Sequence, residues 1–192
     1  MKVNLPEVLR GIKGSPSLIV DVETSGLHPF AGDFTCCIGL ATPGLKWEEV
    51  IPVRVAGERC LTDKELKRIT GALSNVPELI GHNLKSDLHH LARLGYWPSD
   101  AQVLRDNIVL GRLSEHRRHP ELGLKELGEH HLGPEVVTYE ETFKEKKRLL
   151  KIRGKGNAET PWQVLREYNL GDLRLTDWVY TLLGCIVLPV MK

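Results

Sequence analysis

The sequence lacks a charge excess of either sign. Its 26 lysine and arginine residues nearly balance its 25 aspartate and glutamate residues, which leaves a formal net charge of +1. A protein that binds DNA through overall charge alone carries a strong basic excess, so this class is excluded. Any contact with nucleic acid must therefore depend on a local group of side chains.

Cysteines are few, and they follow no ligand pattern. The sequence contains no C-x-x-C pair and no zinc-ligand spacing, which argues against a structural zinc site. We expect reduced thiols in the core of a protein from the cytoplasm or another reducing intracellular compartment. The four cysteines are Cys36, Cys37, Cys60 and Cys185.

Long apolar runs are also missing. The longest uncharged tract, residues 178–191, is too short to span a bilayer and is interrupted by Gly184 and Pro189. The amino terminus does not show the charged and then apolar pattern of a signal peptide. No contact with a membrane is therefore expected.

A chain of 192 residues with 41% hydrophobic content fits one globular domain, residues 1–192. Strands are predicted where short apolar segments lie between Gly and Pro turns, at residues 18–22, 34–41, 50–55 and 79–81. Helical signals follow. The pattern predicts an α/β protein with a mixed sheet of about five strands flanked by helices.

Helix starts are marked by capping patterns. Thr62 and Glu65 form a capping-box pattern, and four leucines at helical spacing predict a helix over residues 84–94. Thr160 and Gln163 form a second capping box around Pro161, which favours the first position of a helix. Helices in the second half are predicted at residues 106–113, 123–131, 139–150 and 162–183.

Two acids end the first predicted strand. Asp21 and Glu23 are two positions apart, so both carboxylates leave the strand on one side. A D-x-E triplet is common and usually solvated, but here it directly follows the apolar residues 18–20. Carboxylates at a buried position repel each other unless a cation or protons compensate. The pair is therefore a candidate metal site.

Polar pairs at helical spacing occur twice more. Asn83 and Asp87 are four residues apart beside a buried leucine stripe, which favours the edge of a groove. Tyr168 and Asp172 repeat this spacing and could together hold a metal-bound water, or could simply pack at the core edge beside Gly171. Adjacent histidines diverge on a helix, so a ligand role is not expected for His89, His90, His130 or His131.

The three acidic motifs, in this order, resemble those of the DEDDy 3′-5′ exonucleases. The closest similarity is to the proofreading domain of family A DNA polymerases, and it extends to the segments GHNLKSDLHHLARLG, DNIVLGRL, LGLKELGEHHLG and RGKGNAETPW. The resemblance covers residues 15–183 and implies a ribonuclease H-like (DnaQ-like) fold. It also implies release of nucleoside 5′-monophosphates from DNA 3′ ends.

The resemblance assigns roles to five residues. Asp21 would bridge two divalent cations, Mg²⁺ or Mn²⁺, while Glu23 and Asp172 complete the inner site and Asp87 holds the outer ion. Tyr168 would orient the attacking water. These assignments agree with the chemistry of two-metal centres, where the protein mainly supplies placement.

Contacts with the substrate are also implied. Thr24 and Leu27 would flank the terminal base, although core packing is an equal alternative for Leu27. His82 and Asn83 would touch the terminal nucleotide. Ser86 replaces an aromatic residue that is frequent in the family, which removes one expected contact.

Tyr139 is expected to stack on bases, and Arg118 is expected to reach a phosphate. Seven basic residues between 144 and 155 form either a solvated helix face or a phosphate track.

Two other functions stay open. Ribonuclease D-like exoribonucleases share the acids and the tyrosine, and a non-catalytic binding module could keep the fold. The expected ligand is a single-stranded or frayed DNA 3′ end, with a replication polymerase or primase as a possible partner. The chain is either a free-standing exonuclease or a piece of a longer enzyme.

Overall fold

Five strands form a mixed sheet in the order β3-β2-β1-β6-β7. The computed structural model describes residues 3–115, 122–152 and 156–187. Strand β1 is antiparallel to β2 and parallel to β6, and β2 is antiparallel to β3. The sheet strands are β1 (Ser17–Thr24), β2 (Thr35–Ala41), β3 (Glu48–Pro52), β6 (Glu78–Gly81) and β7 (Val103–Asp106), and a separate ribbon pairs β4 (Arg54–Val55) with β5 (Glu58–Arg59). The predicted mixed sheet with flanking helices is confirmed.

The helices follow the predicted order with one addition. Their bounds are α1 (Leu5–Lys13), α2 (Asp63–Leu73), α3 (Leu84–Arg93), α4 (Asn107–Glu115), α5 (Leu124–Leu132), α6 (Thr138–Leu149) and α7 (Trp162–Val187). Within the described parts of the chain, no helix combines the length and the apolar character that crossing a membrane requires.

Alternation along β1 divides the core between the two faces of the sheet. Leu18 and Val20 pack with residues of α1, α2 and α3, while Ile19 packs on the opposite side with Leu170 and Leu173 of α7. All three β1 residues are fully buried. The sheet end that carries the two acids is therefore held between helices on both sides.

Two predicted helix starts have different outcomes. The capping box before α2 is confirmed, since the Glu65 N–H donates to Thr62 Oγ1 and the Thr62 N–H donates to the Glu65 carboxylate. The box predicted around Thr160 is wrong. Helix α7 begins at Trp162, the Leu165 N–H donates to the Pro161 carbonyl, and the Thr160 hydroxyl donates to Asn157.

Short elements account for the other differences. Helix α1 has a clear apolar stripe but only nine residues, and β7 is a four-residue edge strand whose apolar side chains stay exposed. The strand predicted at residues 50–55 is split, because β3 ends at Pro52 and β4 pairs with β5 instead. Cys36 and Cys37 are buried as predicted, but Cys60 is half-buried and Cys185 is exposed, so these two are not core thiols.

Candidate active site

The acids of β1 meet a third acid from α7. The side chains of Asp21 and Glu23 leave the strand on the side that faces α7. One carboxylate oxygen from each of Asp21, Glu23 and Asp172 lies within 4.8 Å of the other two. Glu23 and Asp172 are buried and Asp21 is half-buried. The period of two along a strand thus brings both carboxylates to the helix that carries the third. We call Asp21, Glu23, Asp172 and the neighbouring Asp87 the acid cluster.

Asp87 reaches the cluster from the first turn of α3. Its Oδ1 accepts the Val22 N–H at 3.4 Å, while its Oδ2 is buried and has no hydrogen-bond partner among the described residues. A buried carboxylate oxygen without a donor is costly. This oxygen therefore has a free position for a ligand.

A further aspartate fixes the start of α3. Asp106, at the end of β7, accepts the N–H groups of Asn83 at 3.0 Å, Leu84 at 2.8 Å and Ile108 at 2.9 Å. Asn83 has a left-handed backbone with φ of 56°. Because Asp106 joins this turn to the neighbouring strand, it sets the direction in which α3 presents Asp87. Sequence reasoning missed it, since the contact spans more than 20 residues.

Burial raises the pKa of every carboxyl group in the acid cluster. Burial raises the pKa of Asp21 to about 7, with a further contribution from Asp172. Burial first, and the Asp21 charge second, raise the pKa values of Glu23 and Asp87 well above the usual range. Burial also raises the pKa of Asp172, opposed by Lys125. The cluster thus holds protons or cations more strongly than isolated carboxylates do.

One lysine lies inside this acidic region. The Lys125 ammonium group, on α5, donates to Asp172 and lies 3.8 Å from Glu140. It is also 5.2 Å from the ring centre of Tyr139 and 5.0 Å from that of Tyr168. Lys125 therefore compensates part of the acid charge and fixes Asp172. No local motif distinguishes this lysine in the sequence.

Two asparagines orient the acids of β1. Asn169 donates to Asp21 Oδ2 at 2.6 Å, and Asn157 donates to Glu23 Oε2 at 2.5 Å. The Asn157 N–H also donates to the Thr24 carbonyl at 2.8 Å, which attaches the loop before α7 to the end of β1. These contacts span more than 130 residues, so sequence reasoning missed both asparagines.

Two tyrosines line the cluster on the α6 and α7 side. The Tyr168 ring stacks on Phe143 with centroids 3.9 Å apart, and burial together with the Asp172 charge raises the pKa of its hydroxyl. The Tyr139 hydroxyl donates to Asp172, and a side chain at Gly171 would collide with the Tyr139 ring. Tyr139 thus supports an acid in this structure, and its stacking on bases stays a prediction.

The predicted substrate contacts differ in their exposure to solvent. Thr24 is half-buried next to Glu23, and Leu27 is 77% exposed, which excludes the core-packing alternative for Leu27. Asn83 is exposed. His82 is half-buried, and burial lowers its pKa to about 4, so it is neutral at pH 7. Arg118 lies outside the described residues. The substrate roles of all five stay predictions.

The adjacent histidine pairs do not join the acids. Among the described residues, the group of side chains identified as a possible metal site contains three carboxylates and no histidine. His90 is buried beside another cleft, and the rings of His130 and His131 contact each other. The contact between the His130 and His131 rings differs from the divergence expected of adjacent helical residues, and the absence of a ligand role for the four histidines stays a prediction.

The basic run is only partly free. Lys144 pairs with Glu140 at 3.1 Å, Lys146 pairs with Glu167 at 2.5 Å, and Lys147 donates to the Gly156 carbonyl at 3.0 Å. Arg153 and Lys155 lie outside the described residues. Lys144, Lys147 and Arg148 nevertheless line a cleft of about 500 Å³ together with Glu23 and Tyr168. The phosphate-track prediction stays open for this cleft.

The donors of the acid cluster fit a hard divalent cation. All its ligands are carboxylate oxygens, which Mg²⁺ and Mn²⁺ prefer. The Oδ2 atom of Asp87, which has no hydrogen-bond partner among the described residues, is one oxygen free to bind a metal ion. Burial is the main cause of the raised pKa values, so the charged carboxylates are costly there without a compensating cation. Both observations agree with cation binding here.

Comparison with known proteins gives a family match and several similar folds. The model of a family described as 3′-5′ exonuclease matches residues 2–172. No match was found among curated protein sequences.

Three solved structures illustrate the fold similarity. Brucella melitensis NrnC with bound Mg²⁺ has a TM-score of 0.61 and 19% identity, over 95% of this chain and 78% of that chain. The Aedes aegypti Nibbler EXO domain has a TM-score of 0.66 and 14% identity, over 97% and 85%. Trypanosoma brucei RNase D has a TM-score of 0.64 and 16% identity, over 95% and 61%. At these identities the similarity shows a ribonuclease H-like exonuclease fold and nothing finer.

Proposed function

This chain belongs to the 3′-5′ exonuclease family related to the proofreading domains of family A DNA polymerases, and we propose that it removes nucleoside 5′-monophosphates from DNA 3′ ends. The observation that carries the proposal is the acid cluster with Tyr168 at its edge. Three elements far apart in sequence deliver these five side chains to one place. The proposal treats residues 1–192 as one catalytic domain.

Exonucleases of this family depend on divalent metal ions, and the proposal assigns two such ions, Mg²⁺ or Mn²⁺, to the acid cluster. Asp21 would contact both, Glu23 and Asp172 would complete one site, and Asp87 would serve the other. A solved structure of the similar NrnC contains Mg²⁺, which supports magnesium. Bound divalent ions activate a water and stabilise the leaving 3′ oxygen.

The chain's own residues supply placement. Asn169 and Asn157 hold Asp21 and Glu23 by one hydrogen bond each, which leaves the other carboxylate oxygen available. Tyr168 is fixed by stacking on Phe143. Its hydroxyl would accept a hydrogen bond from the attacking water or donate one to it. Because the pKa of its hydroxyl is raised, Tyr168 stays protonated and acts by orientation rather than as a base.

Thr24, Leu27, His82 and Asn83 would hold the terminal nucleotide. The exposed Leu27 could insert beside the terminal base, and a neutral His82 could donate or accept one hydrogen bond. Arg118 and Tyr139 are assigned to the strand further along. A polymerase or primase that delivers the 3′ end would complete a proofreading role.

RNA is the second candidate substrate. One of the similar structures is an RNase D, whose name states that it acts on RNA. The family model, in contrast, points to polymerase proofreading domains, which favours DNA.

One experiment tests activity, polarity and substrate together. Matched DNA and RNA strands, labelled at the 3′ or the 5′ end, are incubated with Mg²⁺, Mn²⁺ or EDTA and resolved on a gel, with Asp172→Asn as the control. We expect metal-dependent release of labelled mononucleotide from the 3′ end, faster on DNA and faster on mismatched than on paired ends. Faster digestion of RNA would replace DNA by RNA as the substrate. Full activity in EDTA or in Asp172→Asn would refute the proposed site.

A further inference from the structure

A second cleft is lined by more basic than acidic side chains. It lies between the β4–β5 ribbon, the start of β2 and helix α3, with a volume of about 150 Å³. Three arginines line it, Arg54, Arg59 and Arg93, together with His90. We call this the arginine cleft. None of the four belongs to the acid cluster or to the predicted site.

Two of these arginines face each other across the β4–β5 ribbon. Arg54 and Arg59 are direct partners in the strand register, and like charges in that position destabilise a ribbon. Arg59 is compensated by an ion pair with Asp63. Arg54 makes no ion pair within the described parts of the chain. An anion bound here would relieve the repulsion.

Aromatic rings hold the two unpaired guanidinium groups. Arg54 lies over the ring of Phe34 at 4.6 Å, and Arg93 lies over the ring of Phe30 at 5.9 Å. Stacking of this kind restrains a guanidinium group without using its N–H donors. Both arginines therefore keep their N–H donors for a ligand. Their side chains also have less conformational freedom to lose when a ligand binds.

A buried histidine provides a second, independent sign of a ligand. His90 is 1% exposed and lines the arginine cleft. The backbone of Gly26 interacts with its ring, but neither ring nitrogen makes a hydrogen bond of normal geometry within the described residues. Buried polar groups in native structures are nearly always partnered. An oxygen-rich ligand in the cleft could accept its N–H.

The one acid on the wall of the cleft is already engaged. Asp33 accepts the His28 N–H at 2.8 Å and contacts the Ser25 hydroxyl at 3.5 Å. These donors are neutral, so the negative charge of Asp33 stays beside His90 and offsets one of the arginine charges. The surplus of positive charge in the cleft remains, although the whole chain is nearly neutral.

The arginine cleft lies close to the proposed site. Thr35, on its wall, pairs in register with Thr24, which directly follows Glu23. The loop between these strands carries Leu27 and Phe30, both highly exposed. A strand whose 3′ end rests at the acids could cross this loop and place an upstream phosphate in the cleft.

We propose that the arginine cleft binds a backbone phosphate of the substrate strand, on the 5′ side of the terminal nucleotide. The proposal rests on the proposed exonuclease function, and it adds a length requirement. Strands that extend beyond the terminal nucleotides gain a contact that a dinucleotide cannot make. Nucleic-acid binding thus becomes local, as the nearly neutral sequence requires.

The test compares two substrates and two matched arginine replacements. The double variant Arg54→Met with Arg93→Met is assayed on a dinucleotide and on a single strand of about ten nucleotides, a length that single-strand sites cover. Arg10→Met is the control, because Arg10 is exposed on α1 at the other end of β1. Arg93→Met alone, on the surface of α3, serves if the double variant unfolds.

We expect kcat/KM to fall about tenfold more on the longer strand than on the dinucleotide in the double variant. The salt dependence of binding of the longer strand, measured in EDTA by fluorescence anisotropy, should become shallower by about 0.7 per lost phosphate contact. Arg10→Met should change neither quantity. Equal losses on both substrates with an unchanged salt slope would overturn the proposal.

Free phosphate is the other source of the same chemistry. If inorganic phosphate raises the melting temperature of the native chain but not of the double variant, while the length preference is unaffected, the cleft binds free anions and the strand assignment is wrong. Because anisotropy needs no cleavage, the cleft is tested even if the native chain degrades neither substrate. Failure of the exonuclease proposal and failure of this one are therefore distinguishable.

Discussion

Replacement of Asp21 by asparagine should stabilise the metal-free protein at pH 8. The folded chain holds the pKa of Asp21 at about 7, against 3.8 for an exposed aspartate. As pH rises through about 4, the unfolded chain loses this proton while the folded chain keeps it. The folded state therefore loses stability between pH 4 and pH 7, and the loss is complete above pH 7.

The size of this penalty follows from the pKa. A rise from 3.8 to about 7 corresponds to about 4 kcal/mol at pH 8. Water that reaches this half-buried carboxylate screens part of it, so we expect a net gain of about 2 kcal/mol in Asp21→Asn. For a chain of this size, that gain raises the melting temperature by about 6 °C. Asparagine can still accept the hydrogen bond from Asn169.

The assay is a melting curve in EDTA at several pH values between 4 and 8, followed by a titration with Mn²⁺. The variant should melt higher than the native chain at pH 8 and nearly equally at pH 4. Mn²⁺ should raise the melting temperature of the native chain by mass action and that of Asp21→Asn much less.

Asp106→Asn is the matched control, for which we expect the opposite change in metal-free melting temperature. Its carboxylate accepts three backbone N–H groups, so its replacement should lower the melting temperature at pH 8. A clear loss of metal-free stability in Asp21→Asn would refute the reasoning, because Asp21 would then be a structural acid. If Mn²⁺ raised the melting temperatures of the native chain and of Asp21→Asn equally, the metal site would be refuted.

Three further outcomes are expected. Lys125→Met should lower the metal-free melting temperature at pH 8, since Asp172 loses its ion-pair partner at a cost of about 1–3 kcal/mol. Lys125→Arg should keep most of the native melting temperature. An unchanged melting temperature in Lys125→Met would contradict the role of Lys125 in stabilising Asp172. Tyr168→Phe should lower kcat about 100-fold with KM and the Mn²⁺-induced shift unchanged, and full turnover would exclude the water-orienting role. Gly156→Ala should shrink the Mn²⁺-induced shift in melting temperature, because the new Cβ would collide with the Ser25 carbonyl oxygen and displace the loop. Gly71→Ala, where the new Cβ meets open space, should leave that shift unchanged.

Local pattern was enough to predict the elements that carry the acids. Alternation places Asp21 and Glu23 on one side of β1, and helical spacing places Asp87 near the buried edge of α3. Each of these positions depends on neighbours within a few residues. The capping box before α2 was predictable for the same reason.

Contacts between distant segments were not predictable from local pattern. Asn157 and Asn169 lie 134 and 148 residues from the acids that they orient, and Lys125 lies 47 residues from Asp172. Lys125 and Asn157 lie in segments that resemble the family, but the spacing within those segments does not indicate which acid either side chain contacts. Their roles follow from how α5, α7 and the loop before α7 pack on β1, which only the fold shows.

Charge balance in the acid cluster connects burial with function. A single ammonium group, that of Lys125, offsets one of four clustered carboxylate charges, so protons or cations must balance the rest. The pKa of about 7 for Asp21 means that this carboxyl group holds a proton in acid and loses it near neutral pH. Protons and divalent cations compete for the same oxygens, so cation binding should strengthen as pH rises through 7. The burial that destabilises the metal-free protein would therefore also favour cation binding at the end of β1 under neutral conditions.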